Sequence, residues 1–350
     1  MIMKNSLLFV SLLHSAVGPR FNLWSIVAAV CLSAGPAAHA ANRVVAWGDI
    51  RCDLAVGSTG PRGGAVVGIA AGSFHSLALR SDGSVVAWGD NRFGQTSIPP
   101  QLKRKSPVAI AAGNVHNLAL MEDGTVVAWG PAAGQLGDYG QCAVPVGMKR
   151  VVAIAAGAVH SLALKRDGTV VAWGYDSYGQ CEVPPGLNGV VAIAGGTYHS
   201  LALKNDGTVV VWGNNSVGQT DVPEGLDDVV AIAACGFHSL ALRADGTVVF
   251  WGGYGPNRGG VPDGLDNVVA IATGDYHSLA LRSDGTVVAW GFDWSGQCDV
   301  PQGLTGVAAI AARGNHSMVL VSEDSPVQSN LKKFKVIMQN PLETIRSHHE

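Results

Sequence analysis

Val190–Asp228 reads VVAIAGGTYHSLALKNDGTVVVWGNNSVGQTDVPEGLDD, and variants of this stretch fill most of the chain. Its histidine recurs as His75, His116, His160, His199, His238, His277 and His316, the last five spaced 39 residues apart. A Trp-Gly pair recurs with it, led by Trp47, Trp88, Trp129, Trp173, Trp212, Trp251 and Trp290. Self-similarity at a period of about 40 residues marks a solenoid, a propeller or an array. What one unit is therefore decides the fold.

Within the unit, Val190–Ala194 is apolar and β-branched until Gly195-Gly196 interrupts it. His199–Leu203 follows, then Asn205-Asp206-Gly207, then Thr208–Trp212. Asp-Gly between two β-prone runs signals a hairpin, because glycine accepts the positive φ that the turn demands. Six copies carry it: Asp82-Gly83, Asp123-Gly124, Asp167-Gly168, Asp206-Gly207, Asp245-Gly246 and Asp284-Gly285. No segment shows a 3.6-residue apolar stripe, so the chain reads as all-β. Apolar residues on both faces of the second and third strands imply that both faces are covered, as when small sheets pack around an axis. The Ala- and Gly-rich first strand suits the crowded innermost place. With strands running up, down and up, the chain must descend once more, and a fourth strand is expected at Gln219–Val222. Four-stranded sheets repeated in this way make a seven-bladed β-propeller.

The ends of the array are complementary. Arg43-Val44-Val45-Ala46-Trp47-Gly48 is a third strand with no first or second before it. Val307–Ala312 and His316–Leu320 are a first and second strand with no third after them, and Glu323-Asp324 stands where the turn would be. Pairing the ends in one shared blade would close the ring and remove the strand edges an open array exposes.

Hydrophobic residues make up 47% of the chain and charged residues 14%, ample material for a core. The formal net charge is −3, and removing Lys4 and Arg20, the only charged residues among the first 40, takes it to −5. A mildly acidic protein has no electrostatic footprint for nucleic acid, and none is expected as a partner. After Arg20, the apolar run Leu23–Ala34 leads to Ala38-His39-Ala40, the pattern of a secretory signal peptide cleaved after Ala40. Lys4 and the apolar Leu7–Leu13 precede it, so either the leader is extended or translation starts later. The apolar run falls well short of the roughly 20 residues a membrane span needs, so no stable span is expected after cleavage. These readings divide the chain into a signal peptide (1–40), a propeller (41–321) and a C-terminal extension (322–350), with a secreted or periplasmic location. Cleavage would leave Cys52, Cys142, Cys181, Cys235 and Cys298. They are expected to fill small-residue slots, since Cys142, Cys181 and Cys298 stand where other copies carry Thr96 or Thr220; bridges between neighbouring copies are the alternative.

The units VVAIAAG…HSLAL..DGTVVAWG…GQ..VP.GL, from Arg43 to about Val321, resemble the regulator of chromosome condensation repeat family. The resemblance implies a seven-bladed propeller in which the termini share one blade. The compact unit and the recurring VP.GL look most like the family's exported bacterial members, which include a propeller-type β-lactamase inhibitor. The family's eukaryotic namesake is a nuclear exchange factor for a small GTPase; a signal peptide and an acidic propeller argue against that role.

No catalytic constellation stands out, since H-E-x-x-H, C-x-x-C and G-x-S-x-G are all absent. One histidine per unit on a Leu-bearing strand face reads as a hydrogen-bonded core residue. Seven such rings around a circle lie too far apart to hold one metal ion at about 2 Å. Neither metal nor cofactor is expected, and the tryptophans read as blade packing. The departures from the repeat are more informative. One variable place is the turn before the histidine, with Phe74, Tyr198, Phe237 and Tyr276 among its occupants; the other is the loop after Trp-Gly, with Phe93, Tyr175, Tyr178, Tyr254, Phe292 and Trp294. The strand directions put both at one end, the top. The expected function is therefore a non-enzymatic, monomeric propeller that binds a protein through an aromatic top face, inhibition of an exported enzyme being the most concrete form. A cell-envelope adhesion or scaffold protein is the alternative, and a propeller enzyme a further one.

Overall fold

The computed structural model describes residues 42–49, 64–103, 106–253 and 260–322. The expected signal peptide, Tyr254, Cys52 and the residues of the expected extension beyond 322 lie outside them. The described residues form seven antiparallel three-stranded sheets, with a short 3₁₀ turn at Pro100–Lys103.

The unit that opened the sequence analysis shows how each sheet is built. Its strands are Val190–Gly195, His199–Lys204 and Val209–Gly213, with the His199 strand in the middle. At the lower turn Gly207 N–H donates to Lys204 O (3.0 Å) and Lys204 N–H to Thr208 O (2.9 Å). Gly207 sits at φ +80°, the left-handed position that completes this type I turn with its bulge. Asp206 Oδ1 accepts from Thr208 N–H (3.1 Å) and Thr208 Oγ (2.6 Å), which explains the recurrent Asp-Gly-Thr.

The first strands of successive sheets pack against one another, and the first strand of the seventh sheet packs against that of the first. Their alanines and glycines allow this close approach. The apolar core is divided among the interfaces between adjacent sheets. Leu162 and Leu164 of the third unit meet Ile193, Ala202 and Trp212 of the fourth, and Leu201 and Leu203 of the fourth meet Ile232, Ala241 and Trp251 of the fifth. The seventh sheet draws on both ends of the chain. Arg43–Gly48 pairs along its whole length with His316–Val321, from Arg43↔Val321 to Gly48↔His316, and Val307–Arg313 lies on the other side. Trp47 Nε1–H donates to Gln297 O at 2.9 Å, across 250 residues.

The expected fourth strand is a correction. Among the described residues each sheet has three strands, and the descending segment at Gln219–Val222 is a run of turns. Val222 N–H donates to Thr220 O (3.0 Å), Asp221 N–H to Gly218 O (3.1 Å) and Leu226 N–H to Pro223 O (3.2 Å). Backbone donors satisfied locally are lost to a ladder, and Pro223 has none to offer.

Candidate protein-binding face

Beneath the top end lies a ring of buried histidines. His160 Nε2 meets Ser200 Oγ of the next blade at 3.0 Å, His199 meets Ser239 at 3.1 Å, His277 meets Ser317 at 2.9 Å, and His316 meets Ser76 at 3.1 Å. His75 meets Asn117 Oδ1 instead, at 2.6 Å. The serine proton is already committed: Ser200, Ser239 and Ser317 donate to the carbonyls of Gln180, Gln219 and Gln297. Nε2 must therefore carry the histidine proton, and Nδ1 is the bare nitrogen. Burial holds these imidazoles far below their ordinary pKa, at about 4 for His75, His238 and His316 and about 3 for His160, His199 and His277. His116 is depressed in the same direction, by burial first. The ring is neutral at pH 7. Among the described residues no group of three or more His, Cys, Asp or Glu is placed to hold a metal ion.

The same glutamine carbonyls accept the indole N–H of the next blade. Trp212 Nε1 donates to Gln180 O (2.9 Å) and Trp251 Nε1 to Gln219 O (3.0 Å), so each Gly-Gln segment is pinned to the following blade. The glutamine side chain, fully buried, turns the other way. Its Oε1 accepts from the backbone N–H two residues earlier, at Phe93, Tyr139, Tyr178, Val217 and Ser295. A repeated residue thus sets the backbone that presents each variable one. The loops come down beside the first turns, as Tyr175 N–H donates to Val159 O (3.0 Å), Asn214 N–H to Tyr198 O (2.8 Å) and Phe292 N–H to Tyr276 O (2.9 Å).

The variable aromatics gather in two groups. Tyr198 lies between Tyr178 (ring centroids 5.0 Å apart), Tyr175 (5.8 Å) and Phe237 (6.2 Å), and Tyr139 joins through Tyr175 at 5.3 Å. Burial and then the neighbouring phenols push the Tyr198 hydroxyl above its ordinary pKa. In the second group Trp294 stacks on Phe292 (4.4 Å), and Tyr276 closes against both. Between the groups is a shallow cleft lined by Phe237, Phe250, Tyr276 and Phe292. Trp294 is 71% exposed and Tyr178 48%, whereas Tyr175, Tyr198, Phe237 and Phe292 are half-buried supports. Phe93 is half-buried beside Gly137 of the next loop, and Phe74 is half-buried on the first unit's turn. Sequence reasoning missed Tyr139 and Leu136, both exposed on the longer loop Pro131–Gln141. Their signal was the second Gly-Gln pair in that loop, which repeats the presenting turn.

Cys142, Cys181, Cys235 and Cys298 are free thiols. Cys181 and Cys298 donate from Sγ to Tyr175 O and Phe292 O, both at 3.4 Å, and burial pushes them and Cys142 up to about 12. They are packing groups under the aromatic loops.

Three-stranded blades, interblade cores and one face of variable loops define a repeat protein of the β-propeller class. The chain carries regulator of chromosome condensation (RCC1) repeats at residues 66–95, 108–141, 151–180, 190–219 and 268–297. Similar solved structures include Prp20p from Saccharomyces cerevisiae (21% identity, TM-score 0.66, covering 91% of this chain and 98% of that one). Yeast RCC1 bound to Kap60 aligns with TM-score 0.69 at 21% identity, over 92% and 98% of the two chains. Human WBSCR16 aligns with TM-score 0.62 at 21% identity, over 81% and 100%. At such identities the likeness shows the fold. No curated protein sequence matches the chain.

Proposed function

We propose that the chain is an exported, non-enzymatic propeller, closed into one ring by its terminal sheet, that binds a protein partner through its aromatic face. The observation that carries this is the arc of variable aromatics from Tyr139 to Trp294, gathered at one end of the blades on the turns and loops that join the strands. Large, rigid, partly apolar side chains at one face are what protein-binding hot spots are made of, each worth about 2 kcal/mol or more when central and desolvated. Protein ligands are known on this fold: Prp20p is described for its binding properties toward Gsp1p and histones, and yeast RCC1 was solved bound to Kap60. The signal-peptide pattern and acidic charge direct this chain toward an exported partner instead. Inhibition of an extracellular or periplasmic enzyme, such as a β-lactamase, is the most concrete form and rests on the sequence resemblance to exported bacterial propellers.

The test is a binding measurement with a partner captured from the exported fraction of the producing organism. Replacing Tyr178, Tyr276 and Trp294 together by Ala should weaken binding at least about 100-fold. Asp227→Ala, at the opposite end, should leave it unchanged. Equal affinity in the triple variant with the fold intact would remove the aromatic face as the site.

A further inference from the structure

One top loop is longer than the rest. Gln141 lies 11 residues after Gly130, whereas Gln219 lies six after Gly213. The added length is tied up by its own hydrogen bonds. Gln135 N–H donates to Ala132 O (3.0 Å) and Asp138 N–H to Gln135 O (3.0 Å), so two turns follow one another. The Asp138 carboxylate links their ends, Oδ2 accepting from Gly134 N–H (2.8 Å) and Oδ1 from Gly140 N–H (2.9 Å). Those two bonds, Gly140 first, hold the carboxyl below its ordinary pKa. Gln141 closes the base, donating from Nε2 to Gly137 O (2.6 Å) and accepting from Tyr139 N–H (2.7 Å). Gly134, Gly137 and Gly140 supply the positive φ that this path needs, at +76°, +87° and +81°.

Both flanks of the loop are braced. On one side the Phe93 ring stands 3.4 Å from the place a Cβ on Gly137 would take. On the other, Tyr139 meets Tyr175 edge-on at 5.3 Å. What this frame presents is Leu136. The residue is 83% exposed, and nothing lies within 4 Å of a Cβ built on nearby Gly134. The tip of the loop therefore stands clear of the molecule while its base is fixed. A leucine on a slack loop can fold back against the surface and leave water; a leucine on this loop is held out in it.

We propose that this loop is a preformed knob whose tip, Leu136, enters an apolar recess on the partner protein, with Asp138 as its positioning residue. The inference rests on the reading of the top face as the docking surface and adds what the partner must offer there. A protruding loop fits a concave site, as long loops of binding proteins do. Order already present in the free loop does not have to be imposed on association. The recess is apolar because Leu136 carries no hydrogen-bonding group: in a polar recess it would strand the partner's own donors and acceptors. The Asp138 oxygens, both turned to the loop's own backbone, do not supply the missing polarity.

The probe is the partner protein isolated by the capture described above, immobilised and titrated with the full chain. Leu136→Ala should weaken binding about 10-fold or more, and Leu136→Met, which keeps the apolar volume, should stay within about 3-fold. Asp138→Ala should weaken binding about 5-fold in the unaltered chain and have no further effect beside Leu136→Ala, because it acts through that side chain. A second measurement needs no partner. Nitrogen-15 relaxation of the full chain should give the Leu136 amide an order parameter of about 0.85, falling below about 0.6 in Asp138→Ala. Unchanged affinity in Leu136→Ala, with binding lost in the Tyr178, Tyr276 and Trp294 triple variant, overturns the knob and leaves the aromatic face standing. Unchanged affinity in both sets of variants removes both. An order parameter below about 0.6 at Leu136 in the unaltered chain overturns the preformed loop. An Asp138→Ala loss that persists in full beside Leu136→Ala overturns the positioning role.

Discussion

Tyr198 and His199 are neighbours in sequence and belong to opposite regimes of the molecule. His199 is wholly buried, bonded to Ser239 of the next blade, and repeated in every unit. Tyr198 is half-buried among other rings on the top face, and its place is taken in other units by Phe, Val or Asn, with Tyr again at Tyr276. His199 opens the middle strand and sits between blades, whereas Tyr198 lies on the turn just before it, at the top. The difference teaches where information sits in a repeat fold. Residues that join one blade to the next must recur, because every junction poses the same geometric problem; residues that join to nothing within the fold are free to differ.

Acid should break the repeated regime most completely. Each ring imidazole is neutral when folded and takes up a proton near its ordinary pKa of about 6.5 once exposed. The folded values are depressed, so the stability they support is complete above about pH 6.5 and falls as pH drops toward their folded values near 4 and 3. Each such histidine adds about 1.4 kcal/mol per pH unit to the slope in that window. Circular dichroism should show cooperative unfolding between about pH 6 and 4 with uptake of several protons. A chain still folded at pH 3 would mean that the ring can be protonated in place.

Removing Arg43–Gly48 takes the outer strand and Trp47 from the terminal sheet, and should lower the melting temperature by about 10 °C or more. An unchanged melting temperature would reject the terminal sheet as the clasp of the ring. A smaller break is Gly157→Ala. The new methyl overlaps the His160 ring, and denaturant unfolding should show a loss of about 2–3 kcal/mol. The smallest effect belongs to the variable regime: Tyr178→Ala or Trp294→Ala should change stability by less than about 0.5 kcal/mol, since both are exposed. The same variants should weaken partner binding, so stability and affinity separate the two regimes. A large stability loss in either would instead make that aromatic a structural cap.

Much of the blade was readable in the sequence. Val190–Ala194 and His199–Leu203 differ from the observed strands by one residue at the end and Thr208–Trp212 by one at each end, and the Asp206-Gly207 turn is where the pattern put it. The fourth segment was misread because topology demanded a descent and strand was the default way to make one. The turns at Gly218–Thr220 satisfy their own backbone, which a directional count cannot reveal. On the candidate face, aromatic identity was readable but grouping was not. Tyr139 belongs with Tyr175 only because the longer second loop folds toward the third.

The sequence by itself determined the unit, its three strands and its lower turn. Those features follow from local causes: a two-residue side-chain period, β-branched runs, and a glycine where φ must be positive. Tertiary structure decided which side chains meet. His199 finds Ser239 40 residues away, Trp47 finds Gln297 across 250, and Arg313 crosses the axis to Ala156. Partners at such separations are set by how blades stack around an axis, and no local preference in the chain encodes that geometry.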